Sequence, residues 1–323
     1  MLTLFRWLSH SPLWFLHAVG ALLGWLTYWA SPSYRRRFHE NAAQAGIDPA
    51  TVRPAIASAG RMVAELPFLW LRPPSKPIRP RLEWEGEALL EAALQARRGV
   101  LLLTPHMGSF EVTAQAIAQR FAAEFGPITV LFRPARKVAL RKVMDESRAR
   151  PGVATAPASL AGVRQMIRAL RRGEAVGLLP DQVPPEGMGV WVPFFGKPAY
   201  TMTLAARLVQ QTGAVPLLIW GERLAHGAGY KVRVSALGEA LPQEDPGRGD
   251  AGPPQVSSSS GAPRGPFVAL GGAGSDAAAS GHHQAESAAV INRAMERLIR
   301  QCPQQYLWGY NRYKTPRSAE PAA

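Results

Sequence analysis

A chain of 323 residues with a formal net charge of +14 and a pI near 10.7 can bury a large core and favours an anionic partner. No aromatic–basic RNA motif or DNA-reading module accompanies that charge, which excludes nucleic acid as the expected partner. A single cysteine, Cys302, excludes an intrachain disulfide and fits a reducing compartment.

In chain order, the first element is "LWFLHAVGALLGWLTYWA", residues 13–30, without a formal charge. A helix of this length rises about 27 Å, the thickness of a bilayer core. Trp7, Trp14, Trp25 and Trp29 lie toward its ends, where amphipathic rings prefer the headgroup zone. Arg35, Arg36 and Arg37 follow it against Arg6 in front, so the downstream body is expected on the cytoplasmic side. A cleaved signal peptide and a helix lying in the interface or in a soluble core are the competing readings.

Residues 35–71 read as an amphipathic helical region, ended by the four prolines of "RPPSKPIRPR" at 72–81. Beyond it, short apolar runs at 100–104, 128–132, 175–179 and 215–220 read as strands. Between and around them, 86–98, 111–125, 137–150, 160–172 and 202–211 read as helices. This alternation predicts an α/β fold with a mostly parallel sheet flanked by helices, behind an N-terminal membrane-anchoring helix. From 242 to 287 the chain becomes Gly-, Pro-, Ser- and Ala-rich, and a disordered insertion is expected. His282 and His283 lie in it without partner ligands, so no metal is expected. An amphipathic helix at 288–300 restores order. The expected organisation is therefore an anchor at 1–34, a helical and Pro-rich region at 35–81, one α/β domain from 82–241 and 288–317, and the insertion at 242–287.

"GVLLLTPHMGSFE" places His106 and Glu111 on either side of a Pro/Gly turn at the mouth of a strand. Positions five apart do not share a helical face, so the two meet only if the chain bends between them. Pro105 and Gly108 supply the bend, and Ser109 is an expected N-cap for the next helix. Glu111 then falls in the first helical turn, where exposed amides favour an ionised carboxylate. A carboxylate on one imidazole nitrogen fixes the tautomer and leaves the other nitrogen to remove a proton from a hydroxyl. Backbone amides after Gly108 are expected donors to an oxyanion. The plainer alternative is a histidine that hydrogen-bonds a loop. A zinc site does not fit, because H-x4-E lacks the i,i+4 geometry of HExxH.

"TPHMGSFE", "VLFRPARKVALRKVMDESRARPG", "LLPDQVPPEGMGVWVPFFGKPAYT" and "PQQYLWGYNRYKTPR" occur in that order. Together they resemble the late acyltransferases of lipid A biosynthesis, the lauroyl/myristoyl family. The resemblance implies a glycerolipid-acyltransferase-like fold at the cytoplasmic face of a bacterial inner membrane. It also implies acyl carrier protein as donor, an anionic lipid A precursor as acceptor, and no cofactor. His106 and Glu111 match the family's catalytic His-x4-acid pair. Arg133 matches the family's second-block arginine and Arg148 lies near the corresponding helix end; the two are expected to hold acceptor phosphates or, as surface arginines, to pair with local carboxylates. Asp181 matches a third-block aspartate that binds sugar or caps a turn. "VWVPFF" is expected in the wall of an acyl channel. The insertion, and "YNRYK" in place of a more basic closing run, depart from the family. Rival readings are transfer to another membrane lipid, such as an ornithine lipid or a mannosylated phosphoinositide, and a catalytically silent protein that binds lipid or acyl carrier protein.

Overall fold

The structure, a computed structural model, describes residues 2–73, 78, 82–132, 150–242 and 274–317. Six helices open the chain: α1 (Leu2–Ser9), α2 (Leu13–Ala30), α3 (Pro32–Gln44), α4 (Pro49–Val52), α5 (Ala55–Ala64) and α6 (Leu66–Leu71). The region read as one helical stretch is thus four pieces, α3 to α6. Positive φ at Gly46 and prolines at the starts of α4 and α6 divide it.

Alternation follows: β1 (Leu82–Glu85), α7 (Glu87–Gln95), β2 (Val100–Leu103), α8 (Phe110–Phe125), β3 (Ile128–Phe132), β4 (Val153–Pro157), α9 (Leu160–Arg171) and β5 (Ala175–Leu178). The hairpin β6 (Gly189–Phe194) and β7 (Lys197–Met202), α10 (Leu204–Thr212), β8 (Val215–Arg223), β9 (Tyr230–Ala236) and α11 (Gly274–Gln301) complete the described α-helices and strands, with 3-10 turns at Ala225–Gly227 and Pro303–Gln305. The predicted helix at 137–150 lies almost wholly outside the described residues. So does 243–273 of the predicted insertion, whereas 274–287, expected to be disordered, are the opening turns of α11.

Seven strands form one sheet in the order β1-β9-β8-β2-β5-β3-β4. All its pairs are parallel except β8 with β9. The mostly parallel α/β expectation holds, and its physical cause is visible in β2. All four residues of "VLLL" are buried, as a central strand covered on both faces requires. Val100 and Leu102 join a core under α7 and α8, while Leu101 and Leu103 join another under α9, α10 and α11. Among the described residues, β6 and β7 form a separate two-stranded sheet packed on α11.

α2 is long and apolar enough to cross a membrane by length and composition, but it does not stand apart from the body. Gly20 and Gly24 lie against Gly60 and its neighbours in α5 so closely that a Cβ at Gly60 would overlap the Gly20 carbonyl. Small residues spaced by four permit this backbone-to-backbone approach. The opposite face leaves Trp14, Leu22, Leu23, Leu26 and Trp29 exposed. Gly60→Leu is expected to force the two helices apart and cost about 1–3 kcal/mol, measured as a lowered thermal midpoint in neutral detergent.

Candidate active site

β2 and β5 are parallel neighbours in register, with Leu103 opposite Leu178. Their carboxyl ends therefore deliver two loops to one place, the usual position of a site in an open α/β sheet. The loop after β2 carries His106 and the loop after β5 carries Asp181. The His106 amide donates to Asp181 Oδ2 at 2.9 Å, and Nδ1 lies 2.7 Å from Oδ1. An ionised carboxylate only accepts, so Nδ1 bears the hydrogen and Nε2 is left with its lone pair. The Gln182 side-chain amide sits 3.0 Å from Nε2 and is placed to donate to it. Burial alone would raise the Asp181 carboxyl, but the facing imidazole, the two hydrogen bonds from His106 and the more distant Arg312 outweigh it. The group is held below its ordinary value.

This geometry corrects the expected His106–Glu111 pairing: the carboxylate seated on Nδ1 is Asp181, 75 residues away. Glu111 is in the first turn of α8, as read from the sequence, and accepts from the Trp70 indole at 3.3 Å on the wall of the same cavity. Asp181, expected to bind sugar or cap a turn, is buried with both carboxylate oxygens on His106. Ser109 occupies the N-cap position of α8 without a side-chain cap hydrogen bond.

Two amides of the turn that leads into α8 are committed elsewhere. Gly108 N donates to Gln305 O at 2.9 Å and Ser109 N to Gly221 O at 2.7 Å. Gly108 itself has φ +56, and a Cβ there would overlap the Gly221 carbonyl, so the turn requires glycine. The closing segment completes it: Leu307 N donates to His106 O at 3.2 Å, and Met107 bridges Tyr306. Tyr310 Oη accepts from Val183 N at 3.0 Å. Arg312, buried, donates to Tyr200 O and Thr201 Oγ1, both at 2.7 Å. Residues 305–307 thus support the loop after β2, Tyr310 the loop after β5, and Arg312 the strand β7.

His106 opens onto a cavity of about 310 Å³. Leu102, Ile117, Ile128, Val130 and Ile219 form its apolar part, with Phe110 edge-on to the imidazole at 5.0 Å. "VWVPFF" does not line it. Val192 is buried, and Phe194 and Phe195 join the core that includes α11, because the β6–β7 hairpin turns them inward.

Arg150 lines the cavity and donates to Trp70 O at 3.0 Å and Arg72 O at 2.8 Å. Burial lowers its pKa, and burial together with Arg150 lowers that of Arg72 to about 10. Among the described residues, Arg72 Nε and Nη1 and Arg150 Nε are buried without hydrogen-bond partners. Two desolvated guanidiniums with orphaned hydrogens make a setting that an anion would relieve. Arg133 and Arg148, expected at acceptor phosphates, lie outside the described residues. Spacing gave no sign of Arg72, which belonged to the stretch read as a Pro-rich linker.

A second buried network fixes the turn from below. Arg223 donates to Glu65 from Nε at 2.9 Å and Nη2 at 3.0 Å, to Ser58 Oγ at 2.9 Å and to Gly108 O at 2.6 Å. Tyr230 Oη donates to Glu65 at 3.2 Å, and His17 Nε2 of α2 lies 3.1 Å from the same carboxylate. The helix at the front of the chain is therefore two hydrogen-bonded side chains away from the turn after His106.

The Escherichia coli (strain K12) lipid A biosynthesis palmitoleoyltransferase is 24% identical over 259 residues, covering 80% of this chain and 69% of the relative. The Shigella flexneri lipid A biosynthesis acyltransferase matches with the same identity and coverage. A family model described as bacterial lipid A biosynthesis acyltransferase matches residues 42–249, which include His106, Asp181 and Arg223; the chain belongs to that family.

Proposed function

We propose that the protein transfers a fatty acyl chain from an acyl carrier protein thioester to a hydroxyl of a lipid A precursor, with His106 as general base. The observation that carries this reading is the imidazole held by Asp181 on Nδ1 and met by the Gln182 amide at Nε2, in the wall of a largely apolar cavity. Membership of the family supplies the reaction class and the acceptor.

The acceptor hydroxyl gives its proton to Nε2, and its oxygen attacks the thioester carbonyl. Asp181 stabilises the imidazolium that forms. The tetrahedral intermediate then collapses with cleavage of the carbon–sulfur bond, and the thiolate takes the proton back from the imidazolium. Protonation of Nε2 releases the Gln182 side-chain amide, 3.0 Å away, from that contact, and in this reading it then donates to the developing oxyanion, a contribution of about 3 kcal/mol for a well-placed donor. Arg72 and Arg150 take an acceptor phosphate. Glu111 shapes the cavity wall from α8. The glycerolipid-acyltransferase build and the inner-membrane, cytosol-facing position belong to the same reading. The exposed apolar face of α2 supports membrane contact, with the body held against the opposite face.

Purified protein incubated with acyl carrier thioester and a lipid A precursor should yield one acyl-chain mass increment per thiol released. No thiol release above background would overturn the reading in favour of a silent binder. Transfer to a different membrane lipid alone would overturn the acceptor. Arg150→Gln is expected to raise KM for the phosphorylated acceptor about tenfold or more, since a charge-assisted hydrogen bond contributes about 1.5–3 kcal/mol. It should leave KM for a dephosphorylated acceptor nearly unchanged.

A further inference from the structure

A larger cavity, about 520 Å³, lies on the other side of the Arg223 network, between α2, α5 and the end of β8. Its charge balance is uneven. Arg223 directs its hydrogens to Glu65, Ser58 and the Gly108 carbonyl, so it offers the cavity charge but few free donors. Glu222, also on the wall, is matched by Arg233 at 2.8 Å. Gln305 is engaged with the Arg223 backbone in both directions.

Arg61 is left over. Among the described residues its half-buried guanidinium has no ion-pair or hydrogen-bond partner, although it lines the cavity beside Arg223. Burial and the neighbouring Arg223 both lower its pKa. His226, held at φ +55, and the exposed Gln304 add polar groups at the same cavity, and Trp14 of α2 forms part of its wall. A partly desolvated cation beside a second cation, with polar side chains converging on an open volume, is the pattern of an anion site.

We propose that this cavity is an anion site distinct from the catalytic pocket, and that it takes a phosphate group against Arg61. Two sources carry that chemistry, a phospholipid headgroup reaching in past Trp14 and free phosphate. The site stands on the described cavity and does not depend on the acyl-transfer reading.

The test uses the full chain in neutral detergent and isothermal titration with three probes: inorganic phosphate, dihexanoylphosphatidylglycerol and phosphate-free dihexanoylglycerol. At least one phosphate-bearing probe should bind, and Arg61→Gln should weaken it tenfold or more. Gln304→Glu, an exposed change that places a like charge at the cavity, should do the same without threatening the fold. Arg61→Lys should restore much of the binding. Arg150→Gln, in the other pocket, should retain it, which separates this site from the proposed acceptor site. Binding of phosphate as tight as that of the lipid identifies the free ion as sufficient, and binding of the lipid alone identifies the headgroup. The proposal is overturned if neither phosphate probe binds, if dihexanoylglycerol binds as tightly, or if both cavity variants bind like the wild type.

Discussion

Asp181→Asn is expected to lower turnover by about a hundredfold or more, with His106→Ala at least as damaging. The asparagine is nearly isosteric, so the loss comes from hydrogen-bond direction. Asp181 accepts from two donors, the His106 amide and Nδ1–H. The backbone amide can only donate, so the carboxamide must turn its oxygen to that amide and its NH2 to Nδ1. The imidazole then carries its hydrogen on Nε2, where the lone pair is required. The loss should fall on kcat with little change in KM, measured with the acyl carrier thioester assay. Glu111→Gln discriminates: if it abolished turnover while Asp181→Asn did not, the assignment of the orienting carboxylate would be reversed.

Glu65→Gln is expected to cost about 3–5 kcal/mol of stability, because it leaves the fully buried Arg223 without its counter-charge. Urea or thermal unfolding in neutral detergent would measure it. Burial alone would raise the Glu65 carboxyl, and Arg223 together with His17 brings it below its ordinary value. Because the folded pKa is depressed, the stabilisation is fully present above the unfolded value near 4.3 and is lost as pH falls through the folded value. Asp181 has the same sign, so acid should unfold the wild type more steeply than Glu65→Gln. The double change Glu65→Leu with Arg223→Met should recover much of the stability. Activity should stay low, since Gly108 O would have lost its 2.6 Å donor. Recovery of both together would show that Arg223 has no part in holding the catalytic turn.

The parts of the fold legible in the sequence are those whose neighbours are local. β2, β3, β5 and β8 are apolar runs buried on one or both faces, and α8, α9 and α10 repeat apolar residues at helical spacing. β4, "VATAP", and β1, "LEWE", went unread. They are edge strands, and small, proline-ended or alternating short segments give no continuous apolar run. The site divides in the same way. His106 was legible because strand, turn and capped helix are consecutive. Its true partner was not, because the sheet order that sets β5 beside β2 brings together residues 75 apart. Glu111 was favoured for being near in sequence, whereas the space beside Nδ1 was settled by a neighbouring strand end. The contact between Glu65 and Arg223 spans 158 positions and had no local signature at all.

The strap formed by Gln305, Tyr306 and Leu307 against the backbone at 106–108 makes the placement of His106 depend on a segment that follows the whole sheet in sequence. Those three residues leave the ribosome after every strand of the sheet has been made. A nascent chain that has already seated α2 on α5 still lacks the backbone partners that hold His106 in place. A chain ending before residue 305 is therefore expected to show no turnover in the thioester assay, although it holds every strand.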